Sequence, residues 1–177
     1  MIKYERLLFF SLIFFILSCS SDLESKRNSK FIDAISDNEM LEPYIVLTRR
    51  ENKLIEARSK KLYNKDESAL MVGEVVVDFY NEEGLHISKL FADSARINEK
   101  NHDLKATGNV YIISDSGYTL STSNIIWDDS YRMILAQDSV MFTTIHGDTL
   151  YGLGFESDSD LEEWKIFKPI GVTREGL

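Results

Sequence analysis

The residues able to do covalent or metal chemistry are sparse in this chain of 177 residues: there is one cysteine, and there are three histidines. His86, His102 and His146 stand beside turns or on polar stretches, and no pair of them, nor any one with Cys19, has the spacing of a zinc site. Exposed histidines are expected, and no metal is called for. Asp158-Ser159-Asp160-Leu161-Glu162 opens like a calcium loop, but Glu163 and Pro169 occupy the sixth and twelfth positions, where such a loop needs glycine and glutamate. Neither a Gly-x-Ser-x-Gly elbow nor a phosphate loop is present, and Gly152-Leu153-Gly154 lacks a third glycine and lies in strand-like sequence. With no catalytic constellation, the expectation is a non-enzymatic protein with no cofactor.

Cys19 has its own chemistry. Lys3 and Arg6 precede an apolar run over 7–17, and Ser18 stands before the cysteine, the order of a signal peptide. The run is shorter than the roughly 20 apolar residues that span a bilayer. Ile16-Leu17-Ser18-Cys19 resembles a bacterial lipobox, in which the cysteine is acylated and becomes the mature N-terminus. As the sole cysteine it has no partner for an intramolecular disulfide. Each buried acyl methylene contributes about 0.8 kcal/mol to membrane retention. An uncleaved anchor with an incidental cysteine is the alternative, and either yields an exported, tethered domain. The expected organisation is a leader over 1–19, a polar tether over 20–40, one β domain over 41–172 and a tail over 173–177. Within the tether, 31–35 could be a helical turn or a short strand.

The elements that follow are repetitive. Leu104, Ala106 and Val110 recur thirty residues later as Ile134, Ala136 and Val140, and Leu90, Ala92 and Ile97 as Leu120, Thr122 and Trp127. An earlier copy, spaced by thirty-five, places Val72-Gly73-Glu74-Val75 before Thr107-Gly108-Asn109-Val110. Short strands with turn signals at such a period indicate a stacked β architecture: sandwich, jelly roll or solenoid. Strands are expected over 45–48, 54–57, 69–72 running through Gly73 into 75–80, 86–92, 104–114, 118–122, 124–127, 133–136, 140–145 and 149–155. Pro43 and Pro169 are the only prolines, one at each end, which suits strands that must donate ladder hydrogen bonds.

The net charge of −9 argues against nucleic acid as a partner, because binding phosphates needs a cationic surface. Basic residues crowd 49–65 and acidic ones 128–163. Charge runs usually solvate a surface; differently charged partners at the two ends are the sharper reading.

Alternation on Val75, Val77 and Phe79, on Val110 and Ile112, on Leu120 and Thr122, and on Val140 and Phe142 points one face of the sheet inward. Such a face ordinarily makes a packed core. Small or hydroxylated residues at Ala92, Ala106, Thr122, Ala136 and Gly152 leave room for a groove if two sheets splay. Trp127 and Trp164 could line that groove or fill the core.

Across 41–172 the sequence is similar to the LptC family, the membrane-tethered periplasmic component of the lipopolysaccharide export bridge. The likeness is carried by Gly73-Glu74-Val75 with Asp78-Phe79-Tyr80 and Gly84, by Leu90-Phe91-Ala92-Asp93, by Ala106-Thr107-Gly108-Asn109-Val110, by Gly117-Tyr118-Thr119-Leu120, by Ile126-Trp127-Asp128-Asp129, and by Asp148 with Tyr151-Gly152-Leu153-Gly154-Phe155. The Ala-Thr-Gly-Asn-Val element is also similar to the repeat of the related soluble, LptA-like bridge proteins. Cys19 departs from the uncleaved transmembrane helix of well-known members.

The resemblance implies an all-β fold: an open, twisted jelly roll of two antiparallel sheets in a V, with lipid acyl chains in the trough. Lipopolysaccharide or a related glycolipid would pass from an inner-membrane ABC transporter to the next soluble bridge protein. The implied groove residues are Val75, Val77, Leu90, Ala92, Ala106, Val110, Ile112, Leu120, Thr122, Trp127, Ile134, Ala136, Val140, Phe142 and Phe155. The partner edge would carry Tyr151, Gly152, Gly154, Asp158 and Asp160. The contrasting expectation is a scaffold or adhesion lipoprotein with a closed β-sandwich and no cargo.

Overall fold

Residues that alternate between apolar and polar favour strands because successive side chains of a strand point to opposite faces. The computed structural model of the chain, described over residues 39–49, 51–65 and 67–171, contains eleven of them and, among the described residues, no helix. They are β1 (Glu39–Leu41), β2 (Tyr44–Arg49), β3 (Asn52–Arg58), β4 (Lys61–Lys65), β5 (Ser68–Tyr80), β6 (His86–Asn98), β7 (Leu104–Ser114), β8 (Thr119–Asp128), β9 (Met133–Thr143), β10 (Thr149–Asp158) and β11 (Trp164–Ile170). Cys19, the leader, the tether up to 38 and the tail lie outside the described residues. Two expectations merge into longer elements: 118–122 with 124–127 in β8, and 133–136 with 140–145 in β9. The strands β1, β4 and β11 were not expected; β1 takes the last residues assigned to the tether.

All pairings are antiparallel and belong to one sheet, in the order β1-β4-β5-β6-β7-β8-β9-β10-β11. At β5 the sheet forks. Its first half, Ser68 to Val72, pairs with β4, while Val76 to Phe79 pairs with β3, which in turn carries β2. The sheet is therefore open: among the described residues β1, β2 and β11 each have one strand partner.

The repeat recognised in the sequence is a bulge. Register breaks between Val72 and Val75, Phe91 and Ser94, Thr107 and Val110, Thr122 and Ile126, and Leu153 and Phe155. Because the breaks face one another across neighbouring strands, they form a crease that divides each long strand into two arms. Bulges sharpen twist and bend a strand. At two of them the chain takes the left-handed conformation over two consecutive residues: Gly73 and Glu74 (φ 80° and 49°), and Gly108 and Asn109 (φ 81° and 45°). Gly108 is doubly constrained, since a Cβ there would also lie 2.4 Å from Asp93 Oδ2. Asp93 uses the same oxygen to accept a 2.8 Å hydrogen bond from Asn109 Nδ2, which ties β6 to β7 at the crease.

Folding at the crease brings the arms together. The inward residues of both arms form one hydrophobic cluster from Leu54 to Leu161. Phe79 on one arm meets Trp127 on the other at 5.7 Å between ring centroids, and Phe142 meets Trp164 at 4.7 Å. Aromatic pairs at such distances add to the area they bury.

Candidate functional site: the apolar interior and its seam

The inward rows run across six strands. Val75 pairs with Ala92, Leu90 with Ile112, and Ile112 with Leu120, which continues to Phe142. On the other arm Ala106 pairs with Ile125, and Leu104 with Trp127, which continues to Ile134; Ala136 pairs with Phe155. Fourteen of the fifteen expected groove residues, all but Thr122, lie in this one cluster at 0–7% exposure. The structure thus brings them together, as a filled interior. Thr122 is half-buried at the crease, where its Oγ1 donates to the Ser139 carbonyl at 3.0 Å. With Val140, Met141, Tyr151 and Leu153 it lines a shallow, open concavity of about 640 Å3.

Polar contacts close the interior at its rim. Trp127 Nε1 donates to Ser159 Oγ at 3.0 Å, and Ser159 Oγ donates onward to the Arg132 carbonyl at 3.1 Å. The buried hydroxyl of Ser88 donates to the Ser159 carbonyl. Arg132 Nη2 reaches the Tyr80 carbonyl at 2.9 Å, and its Nη1 lies 3.3 Å from Glu82. Together these tie the turns after β8 and β10, at the end of one arm, to the turn between β5 and β6, at the end of the other. Buried polar groups are tolerated when paired in this way.

The residues proposed for the C-terminal edge are distributed differently. Strand β10 is paired on both sides, with β9 and with β11, so the outermost strand is β11. Tyr151 is exposed, opposite Ile170. Gly152 and Gly154 are buried beneath β11, and a Cβ on Gly152 would lie 2.1 Å from Ile166 Cγ2. β11 was legible as the alternation of half-buried Trp164 and Ile166 with exposed Lys165 and Phe167; the acidic run before it and Pro169 within it obscured the signal. Pro169 is compatible with a strand because β11 lies at an edge.

Asp158 ends β10, and Asp160 sits in the turn before β11. Asp158 Oδ1 accepts from the Glu162 and Glu163 amides at 3.0 and 3.1 Å, which makes it the organiser of that turn. Burial, reinforced by Asp160 alongside, pushes the Asp158 carboxyl up to about 6.

Two further charged clusters were missed because their members are far apart in sequence. Asp78, buried, accepts from Arg58 at 2.8 Å and lies 3.2 Å from both Lys89 and His86, whose other ring nitrogen is 2.8 Å from Asp115. His86 is thus paired and not simply exposed. Glu56 on β3 accepts from Lys53, from Tyr44 and, at 2.7 Å, from Tyr80; these hydrogen bonds hold its carboxyl down to about 2. Among the described residues no group of three or more His, Cys, Asp or Glu side chains converges as metal ligands. Comparison of the chain with protein-family models and with curated proteins gives no match.

Proposed function

We propose that this chain is a membrane-tethered periplasmic bridge component of the LptC type. It carries lipopolysaccharide or a related glycolipid from an inner-membrane ABC transporter to a soluble, LptA-like protein, with Cys19 as its lipid anchor and a V-shaped jelly roll as its working form. The observation that supports this reading is the apolar strip from β5 to β10, flanked on either side by strands that, among the described residues, have a single strand partner. A lipid crossing water exposes its chains at about 0.8 kcal/mol per methylene, so a continuous apolar path removes a barrier of tens of kcal/mol. Free edges suit joining by strand addition, in which main-chain hydrogen bonds make the joint. The partners do the work of ATP hydrolysis.

A photo-crosslinking amino acid at Ala106 or Val140 tests the reading in cells. Adducts containing lipopolysaccharide are expected; none at any inward position overturns it. Cys19→Ser is expected to abolish processing and release the domain from membranes, and unchanged retention would remove the lipid anchor.

A second reading, a scaffold or adhesion lipoprotein without cargo, is favoured by the interior contact of Phe79 with Trp127, which fills the space a chain would need. Under it, crosslinks from Ala106 remain within the protein.

A further inference from the structure

We infer that the hairpin of β2 and β3 is a gate over the apolar interior, latched shut by the ion pair of Arg49 with Asp129. The inference rests on the lipid-carrying reading for its purpose and on the geometry of the hairpin for its mechanics.

The hairpin joins the sheet through a short ladder, supplemented by the bonds of Tyr80 to Glu56 and Arg58 to Asp78. β3 meets β5 through four residue pairs, Ile55 with Phe79 to Arg58 with Val76, whereas β5 meets β6 through eleven. Among the described residues β2 has no strand partner other than β3. Yet the hairpin covers much: Leu54, Ile55 and Ala57 are buried in the central cluster, and Ile45 and Leu47 pack against it. Displacing this one element would uncover the interior without breaking the ladders from β5 to β11.

Side chains, not strand pairing, hold its free end. Arg49 Nη2 donates to Asp129 Oδ2 at 2.6 Å and approaches the Asp129 carbonyl at 3.3 Å, eighty residues away. Asn52 Nδ2 adds a bond to the Glu82 carbonyl. His102 Nδ1 stands 3.7 Å from the same Asp129 oxygen, and Asp103 Oδ1 accepts from the Asp129 amide.

The latch is poised. Among the described residues Asp129 Oδ1 is buried with no hydrogen-bond partner, while Arg49 keeps about half of its side chain in solvent. The pair is therefore only partly shielded, and water competes with Arg49 Nη2 for the carboxylate. The seam carries an open cleft of about 470 Å3, lined by Val46, Leu47 and Leu54 of the hairpin and by His102 and Asp129. Where a cleft already admits solvent between two surfaces, parting them sacrifices fewer dispersion contacts than parting a packed core.

Hydrogen–deuterium exchange on the full-length chain, compared with Arg49→Ala and Asp129→Asn, tests the gate without any lipid. Exchange over 44–58 is expected to quicken by about tenfold or more in both variants, as local opening does, while the β6–β7 ladder stays protected. Unchanged exchange in the hairpin overturns the gate. So does equal acceleration everywhere, which would make the ion pair a support of the whole fold. Lipid capture at Ala106 with no gate response would leave the carrier reading standing; a responsive gate with no lipid capture would sink the carrier reading alone.

Discussion

Phe79 and Trp127 meet at 5.7 Å from opposite arms of a single sheet, so the rings that seal the interior belong to strands that share no ladder hydrogen bond. Trp127 is 1% exposed and donates to Ser159, which joins packing and polar closure in one residue. Trp127→Ala should destabilise the domain by about 3–5 kcal/mol, as large-to-small core substitutions do, and Trp127→Phe by considerably less. Urea denaturation followed by circular dichroism measures both. Equal, small losses would show that the arms do not rely on this contact.

The crease can be tested through two glycines with similar backbones. Gly84 (φ 78°) has open space where a Cβ would be, whereas at Gly108 (φ 81°) a Cβ would strike Asp93. Gly84→Ala should cost about 1 kcal/mol from conformation alone. Gly108→Ala should cost clearly more, about 2–4 kcal/mol, because the clash adds to the same backbone penalty. Thermal or chemical denaturation of the pair checks the difference, and equal costs would mean that Asp93 moves aside freely.

Asp158 makes stability depend on pH in an unusual direction. Its folded-state value near 6 lies above the ordinary 3.8, so the folded chain holds this proton more tightly than the unfolded one. Stability should therefore fall as pH rises from about 4 to about 6, by no more than about 1 kcal/mol once solvent screening of this partly exposed group is allowed for. Denaturation midpoints for the native chain and Asp158→Asn, measured at pH 4.5 and 7, should converge at the lower pH. A constant difference between them would exclude a raised Asp158.

Gly152 lets β11 lie against β10, because a Cβ would fall 2.1 Å from Ile166 Cγ2 and 2.9 Å from the Lys168 carbonyl. Gly152→Val should detach β11 while β5 to β9 persist. Hydrogen exchange should then show lost protection over 164–170, with protection retained over 104–114. Retained protection over 164–170 would mean that the strand shifts to make room.

The local pattern carried the all-β class, the turns and the inward set, because alternation with a period of two states which side chains leave water whatever the topology. It also carried the crease, as the repeated Val-Gly-x-Val and Thr-Gly-Asn-Val segments, although their meaning as bulges needed the φ values of Gly73 and Gly108. Alternation does not say what an inward face meets. That Phe79 meets Trp127, that β10 is covered by β11, and that Arg49 reaches Asp129 across eighty residues were decided only when the sheet folded on itself. Those contacts depend on strand order and on where the arms bend, and a pairing between distant residues leaves no mark on the local spacing of either partner.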